Sequence, residues 1–125
     1  MSPLVVHIAP GQAPPTLVTV AGEIDIGSVP TLRRHLRTLS NDSTVVDMSG
    51  VRLLSATGVT ELAALRDRLA HVDKSLALAA ARPLVRRILA ITGLADTDLL
   101  TDTVDAATLL IPAIPSLAAR RRTQR

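Results

Sequence analysis

The chain contains no phenylalanine, tyrosine or tryptophan among its 125 residues. Leu, Val, Ile and Ala must therefore fill the interior alone, with branched aliphatics interdigitating where aromatic rings would supply bulk. The same absence excludes any site in this chain built by stacking bases or sugars on aromatic faces. Cysteine is also missing, which removes disulfides, thiolate catalysis and zinc–sulfur sites together. No run approaches the roughly 18 uninterrupted apolar residues that a membrane-spanning helix needs. The longest candidate, residues 108–119, is broken by Pro112 and Pro115. Residues 1–12 have no basic start and only a short apolar run, so they do not read as a secretory signal. A cytoplasmic protein is expected.

What is present is aliphatic. Hydrophobic residues make up 47% of the chain and its mean hydropathy is +0.34, which argues for a folded domain of ordinary size with one core. The net charge of +3 and a pI near 11.0 suggest an affinity for acidic partners, but position matters more than the total. Four of the 14 basic residues, Arg120, Arg121, Arg122 and Arg125, lie in the last six positions. Without them 10 basic residues face 11 acidic ones, and the body carries −1. The basicity belongs to a tail, usually a solvated end, so direct nucleic-acid binding is not expected. A domain over 1–112 followed by a Pro- and Arg-rich tail over 113–125 is the expected organisation.

Hydrophobic periodicity sets out the elements. Residues 4–8 and 16–20 read as two strands of a hairpin with a loose Pro- and Gly-containing connection, and residues 21–25 leave the second strand. A helix should start near Val29, with Ser28 as N-cap and Pro30 tolerated in the first turn. Val29, Leu32, Leu36 and Leu39 form its apolar stripe, with Arg33, Arg34 and Arg37 off it. A short strand over 44–48 precedes a loop over 49–56 and a second helix over about 57–72, buried through Leu62, Leu65, Leu69 and Val72. A strand over 75–80 follows. A third helix is opened by Pro83 and closed by Gly93 in a left-handed conformation. A weak strand near 98–100 and a helix over about 103–110 complete the order β-β-α-β-α-β-α-β-α. That order predicts an α/β (α+β) domain with a mixed sheet, parallel at its centre, covered by helices mainly on one face.

Three stretches, in order and at fitting spacing, resemble the STAS family as found in bacterial anti-sigma factor antagonists. Val20-Ala21-Gly22-Glu23-Ile24-Asp25 resembles that family's Gly-Glu-Leu-Asp after its second strand. Residues 45–59, including Asp47-Met48-Ser49-Gly50-Val51 and Ser55-Ala56-Thr57-Gly58-Val59, are similar to its third strand and the loop that follows. Residues 83–94, with Arg86-Arg87-Ile88-Leu89 and the closing Gly93-Leu94, resemble its third helix. The resemblance spans about residues 4–110 and implies a STAS-like single domain. It also implies a partner: an anti-sigma factor, often a kinase related to histidine-kinase ATPases, whose capture frees a sigma factor and so regulates transcription. In the family that kinase phosphorylates the serine after the loop's Asp. Here the Asp position is Ser55, the acceptor position is Ala56 and the next residue is Thr57, so the usual switch lacks its hydroxyl. The chain then resembles an unswitched binding form, or one phosphorylated at Ser55 or Thr57.

The candidate partner-binding residues are Glu23, Asp25, Ser55, Ala56, Thr57 and Gly58. Ser55 and Thr57 also read as ordinary N-cap or turn hydroxyls, Gly58 as a point of close helix–sheet packing, and Glu23 and Asp25 as loop carboxylates with no other visible task. No catalytic constellation, phosphate-binding loop or dinucleotide fingerprint is present, so no enzyme activity and no cofactor are expected. His7, His35 and His71 lack ligand spacing, which argues against a metal site. A monomer or weak dimer is expected. The alternative reading keeps the fold and changes the partner: a STAS subunit of an ABC lipid-transport complex, or a scaffold module of a stress-signalling assembly.

Overall fold

The computed structural model describes residues 3–9, 15–39, 41–94 and 100–110. Strands β1 (Val5–Ile8), β2 (Thr16–Ile24), β3 (Thr44–Leu54), β4 (Leu76–Ala79) and β5 (Leu100–Thr101) alternate, after the first, with helices α1 (Val29–Leu36), α2 (Ala56–Ala70), α3 (Pro83–Ile91) and α4 (Val104–Leu110). The five strands lie side by side in sequence order. β1 pairs with β2 antiparallel, and every later pair is parallel.

This order places the helices. Three successive parallel crossovers advance across the sheet in one direction, and each must be right-handed, so α1, α2 and α3 fall on the same face. Side chains alternate along a strand, and one set points at those helices. Val18, Val20 and Ile24 of β2, Val46 and Met48 of β3 and Leu78 of β4 pack with Leu32, Leu36, Leu62, Leu65, Leu69, Val85 and Leu89. The opposite set makes a smaller cluster in which Val45, Ala77 and Ala79 meet Ala107 of α4. An aromatic-free interior is thus realised with leucine, isoleucine, valine and one methionine as the largest fully buried side chains. The architecture is the mixed α/β domain with an N-terminal hairpin that the sequence predicts, and α1, α2 and α3 cover one face.

Several local expectations are corrected. β2 does not end at Val20 but runs to Ile24. β3 does not end at Met48; the stretch expected as a loop continues as strand to Leu54. The two extensions support each other, because Ala21↔Gly50, Gly22↔Val51, Glu23↔Leu53 and Ile24↔Leu54 pair in parallel. The register slips twice by one residue, between Thr19 and Ala21 and between Gly22 and Glu23, so β3 carries two extra residues, and the second slip falls at Arg52, between Val51 and Leu53. Those bulges change the spacing of buried positions from two to three, at Met48, Val51 and Leu54. Gly50 sits where the strands approach closely: a Cβ there would lie 2.8 Å from Ala21 Cβ and 3.1 Å from Ala21 Cα.

α2 begins one residue early, at Ala56, and ends at Ala70. Val72 therefore leaves the expected buried stripe and is 47% exposed, since past the last helical turn its side chain no longer follows the helical period. Ser28 occupies the N-cap of α1, but its hydroxyl makes no cap bond there. Gly93, at φ +83°, ends α3 as expected. Asp98 and the tail over 113–125 lie outside the described residues.

Candidate partner-binding site

In parallel sheets the strand ends that feed helices converge on one edge, where ligands and partners are commonly met. Here that edge carries the β2–α1 turn, the β3–α2 junction and the β4–α3 connection. Every site residue expected from the sequence lies at the first two.

The β2–α1 turn is closed by its own polar groups. Asp25 Oδ1 accepts from the Ser28 N–H at 2.9 Å, and the Ser28 hydroxyl accepts from the Asp25 N–H at 2.9 Å and donates to the Glu23 carbonyl at 2.8 Å. The Val29 N–H donates to the Asp25 carbonyl at 3.0 Å, which starts the helix. The Asp25 carboxylate therefore has a structural task, the side-chain-to-backbone turn typical of Asp, and is not the idle loop carboxylate read from the sequence. The same bonds explain the missing cap: the Ser28 hydroxyl faces back into the turn. Glu23 is half-buried, and among the described residues its carboxylate meets no hydrogen-bond or ion-pair partner. Ile26, at the tip of the turn, is 80% exposed. It lines a groove of about 660 Å³ together with Pro3, Leu4, Glu23, Asp25 and Ser28.

The second turn is tied to the first through the Ser55 N–H, which donates to the Ile24 carbonyl at 2.8 Å. Ser55 is the N-cap of α2: its hydroxyl oxygen accepts from the Gly58 N–H at 3.2 Å, which satisfies one of the orphan donors of the first turn. The Ser55 and Thr57 hydroxyls lie 2.9 Å apart. Ser55 is partly buried, whereas Ala56, Thr57 and Thr60 are exposed. Gly58 is buried, and a Cβ there would come within 2.9 Å of Leu54 Cδ1 and closer still to Ile24 Cγ2. Its lack of a side chain lets α2 start directly on the sheet. Leu53, opposite Glu23 in the register, is 39% exposed.

The resulting surface is a neutral ledge, Leu53, Ala56 and Thr57, flanked by the exposed Ile26 and by carboxylates at the β2 end. Sequence reasoning missed Ile26 and Leu53, since an apolar residue inside a turn or an expected loop gives no periodic signal. The only usable sign was an isoleucine set between Asp25 and Gly27. Among the described residues no cluster of three His, Cys, Asp or Glu side chains is placed to hold a metal ion, and no helix is long and apolar enough to cross a membrane.

The fold is shared with proteins of known structure. The chain is similar to an anti-sigma factor antagonist from Mycobacterium paratuberculosis, at 27% identity and a TM-score of 0.79, over 87% of this chain and 94% of that one. It is also similar to the anti-sigma factor antagonist SpoIIAA in its unphosphorylated form, at 16% identity and a TM-score of 0.72, over 88% and 98% of the two chains. A sulfate transporter family protein from Wolinella succinogenes shares the fold too, at 16% identity and a TM-score of 0.66, over 78% and 84%. No curated protein sequence matches the chain significantly. A family model described as Mlab, STAS domain, matches residues 10–102, about three quarters of the chain, and the chain belongs to the STAS domain family.

Proposed function

We propose that this protein is an anti-sigma factor antagonist. It binds an anti-sigma factor of the histidine-kinase-like ATPase type and so releases a sigma factor, acting in the cytoplasm by protein contact and without catalysis. The contact residues are Glu23, Asp25, Ser55, Ala56 and Thr57, with Gly58 beneath them fixing the height of the helix start. The observation that carries this reading is the exposure of Ala56 at the N-terminus of α2, on the edge where three strand–helix junctions meet. The 27% identical antagonist of the same fold supports it.

The chemistry of the ledge bears on regulation. Ala56 offers no hydroxyl, so a phosphoryl group goes to Ser55 or Thr57 or nowhere. A phosphate adds about −1.5 to −2 charges and would expel a partner by repulsion and desolvation. Thr57 is the more accessible of the two, because the Ser55 oxygen is engaged with the Gly58 N–H. A second reading, in which the same ledge grips a component of a lipid-transport complex or of a signalling scaffold, is favoured by the Mlab description of the family model and by the likeness to a transporter-family protein.

The test is Ala56→Asp. A carboxylate at the first position of α2 suits the helix dipole, so the fold keeps its stability. An unpaired charge in a desolvated interface costs about 2 kcal/mol or more, roughly thirtyfold in affinity. Partners captured from the native cytoplasm are identified by mass spectrometry, and the purified one is titrated against both forms by calorimetry. Capture of a histidine-kinase-like ATPase by the parent and its loss with Ala56→Asp supports the proposal. Equal affinity of the two forms removes the ledge from the interface, and a transport component in place of the kinase selects the second reading.

A further inference from the structure

The two outer strands of the sheet are unequal. β5 spans two residues, whereas β1 spans four and pairs on one side only, with β2. The Ala9 N–H donates to the Leu17 carbonyl at 2.9 Å, in the same antiparallel register that sets His7 opposite Thr19 and Val5 opposite Ala21. In such a ladder alternate residues exchange both bonds with the neighbouring strand, and those between turn their N–H and C=O away from it. Val5, His7 and Ala9 therefore bond to β2. Leu4, Val6 and Ile8 aim their backbone groups outward, where they meet no hydrogen-bond partner among the described residues. The side chains follow the same period: Leu4, Val6 and Ile8 are half-buried against the main core, while Val5, 56% exposed, and His7 stand on the opposite face. Outer strands of monomers are commonly guarded by lysine, an inward charge or a bulge. Residues 3–9 hold no lysine, arginine or carboxylate, and β1 pairs without a slip. What bounds this edge in the sequence is Pro3 on one side and Pro10 on the other.

We propose that β1 is a self-association site, at which a second copy of this chain adds its own β1 antiparallel and joins two five-stranded sheets into one. This does not depend on the function proposed above. Pairing about a two-fold axis must set outward-bonding residues opposite each other with their side chains on matching faces, so only Leu4, Val6 and Ile8 can exchange bonds across it. An axis through Val6 sets Leu4 opposite Ile8 of the second copy, Val6 opposite Val6 and Ile8 opposite Leu4. Every free backbone group between the two prolines is then used, and the apolar layer on the helix side continues from one copy into the next. An axis through His7 would bring Pro10, which has no N–H, opposite Leu4; one through Val5 would bring Ser2 opposite Ile8. Charge favours a second copy as well. The strand carries none to repel its own image, and on the other face His7 meets Val5 instead of itself. A strand from another protein would find the same bonds but no charge to select it. Four residues make a small contact, so half-association is expected on the order of 100 µM.

The experiment uses the full chain alone. Sedimentation equilibrium from about 10 µM to about 1 mM should show the mass rise from 13.2 kDa toward twice that value. Over the same range the amide resonances of Leu4, Val6 and Ile8 should move more than those of Val5 and His7, whose N–H groups already bond to β2. In a mixture of isotope-labelled and unlabelled protein, a contact between the Val5 Hα of one copy and the His7 Hα of the other should appear, since facing residues that exchange no bonds lie closest. Val6→Pro removes the central outward N–H without touching the bonds to β2, and should abolish association. Two double variants at the exposed positions keep the test open if that form folds poorly. Val5→Lys/His7→Lys sets like charges opposite each other across the axis, and Val5→Glu/His7→Lys sets opposite ones. The second should associate about tenfold more tightly than the first. A single 13.2 kDa species at every concentration, a dimer lacking the Val5–His7 contact, or equal association of the two double variants overturns the proposal. So does slow amide exchange at Val6 that dilution leaves unchanged, which would mean that the chain covers this edge with a segment of its own.

Discussion

The two halves of β3 are one strand under two constraints. Thr44–Asp47 is paired with β2 on one side and β4 on the other, and Thr44, Val45 and Val46 are fully buried. From Met48 to Leu54 the strand keeps one neighbour, takes in two extra residues and exposes Ser49, Arg52 and Leu53. In the first half three of the four side chains are dictated by burial, and the fourth, half-buried Asp47, turns its carboxylate to the Ser49 N–H. In the second half a missing neighbour and two slips of register free side chains for the surface, next to the helix start that carries Ala56. Packing and display are separated along eleven residues of one element.

Substitutions in the two halves should therefore differ by an order of magnitude in their effect on stability. The largest effect is expected from Val46→Asp, which puts a charge into the main core with no partner. A loss on the order of 4 kcal/mol or more should leave little folded protein in a urea titration followed by circular dichroism. Between the halves, Gly50→Ala forces a methyl against Ala21, whose Cβ and Cα cannot rotate away. About 1–3 kcal/mol should be lost at equilibrium. A thermal midpoint equal to that of the parent would show that β2 and β3 separate there without cost. The smallest effect is expected from Leu53→Ser in the displayed half, within about 0.5 kcal/mol of the parent in stability. The same variant should bind the partner more weakly in the calorimetric titration. A Leu53→Ser form as unstable as Gly50→Ala would erase the distinction drawn between the halves.

Where one period held, the sequence was readable. The stripe Val29, Leu32 and Leu36 of α1, with Leu39 just beyond the helix, and Leu62, Leu65 and Leu69 of α2 are buried. The dipeptide Gly93-Leu94 stops α3 with its positive φ. The β3–α2 region was harder, because Ser49-Gly50 carries the composition of a turn and the bulges destroy the alternation that marks a strand. Ser28 misled for a related reason: a hydroxyl before a helix is normally a cap, yet Asp25 three residues earlier offers it a tighter set of bonds. The arginines divide likewise. Arg33 looks like a solvated off-stripe residue but reaches Glu61 of α2 at 2.8 Å, and Arg82 bonds to a strand 33 positions earlier. Neither contact leaves any trace in local spacing.

The family resemblance located Ala56 at the position of a missing hydroxyl; solvent exposure of that alanine was decided by the helix starting on a buried glycine. Composition and period determined an aliphatic α/β domain and the order of its elements, since burial of alternating and helical stripes is a local demand that each segment states for itself. Bulges, strand overhang and the gathering of three junctions on one edge depend on how far neighbouring strands extend and where their registers slip. Those are properties of pairs of segments, settled only when the sheet closes, and they decide which side chains a partner can touch.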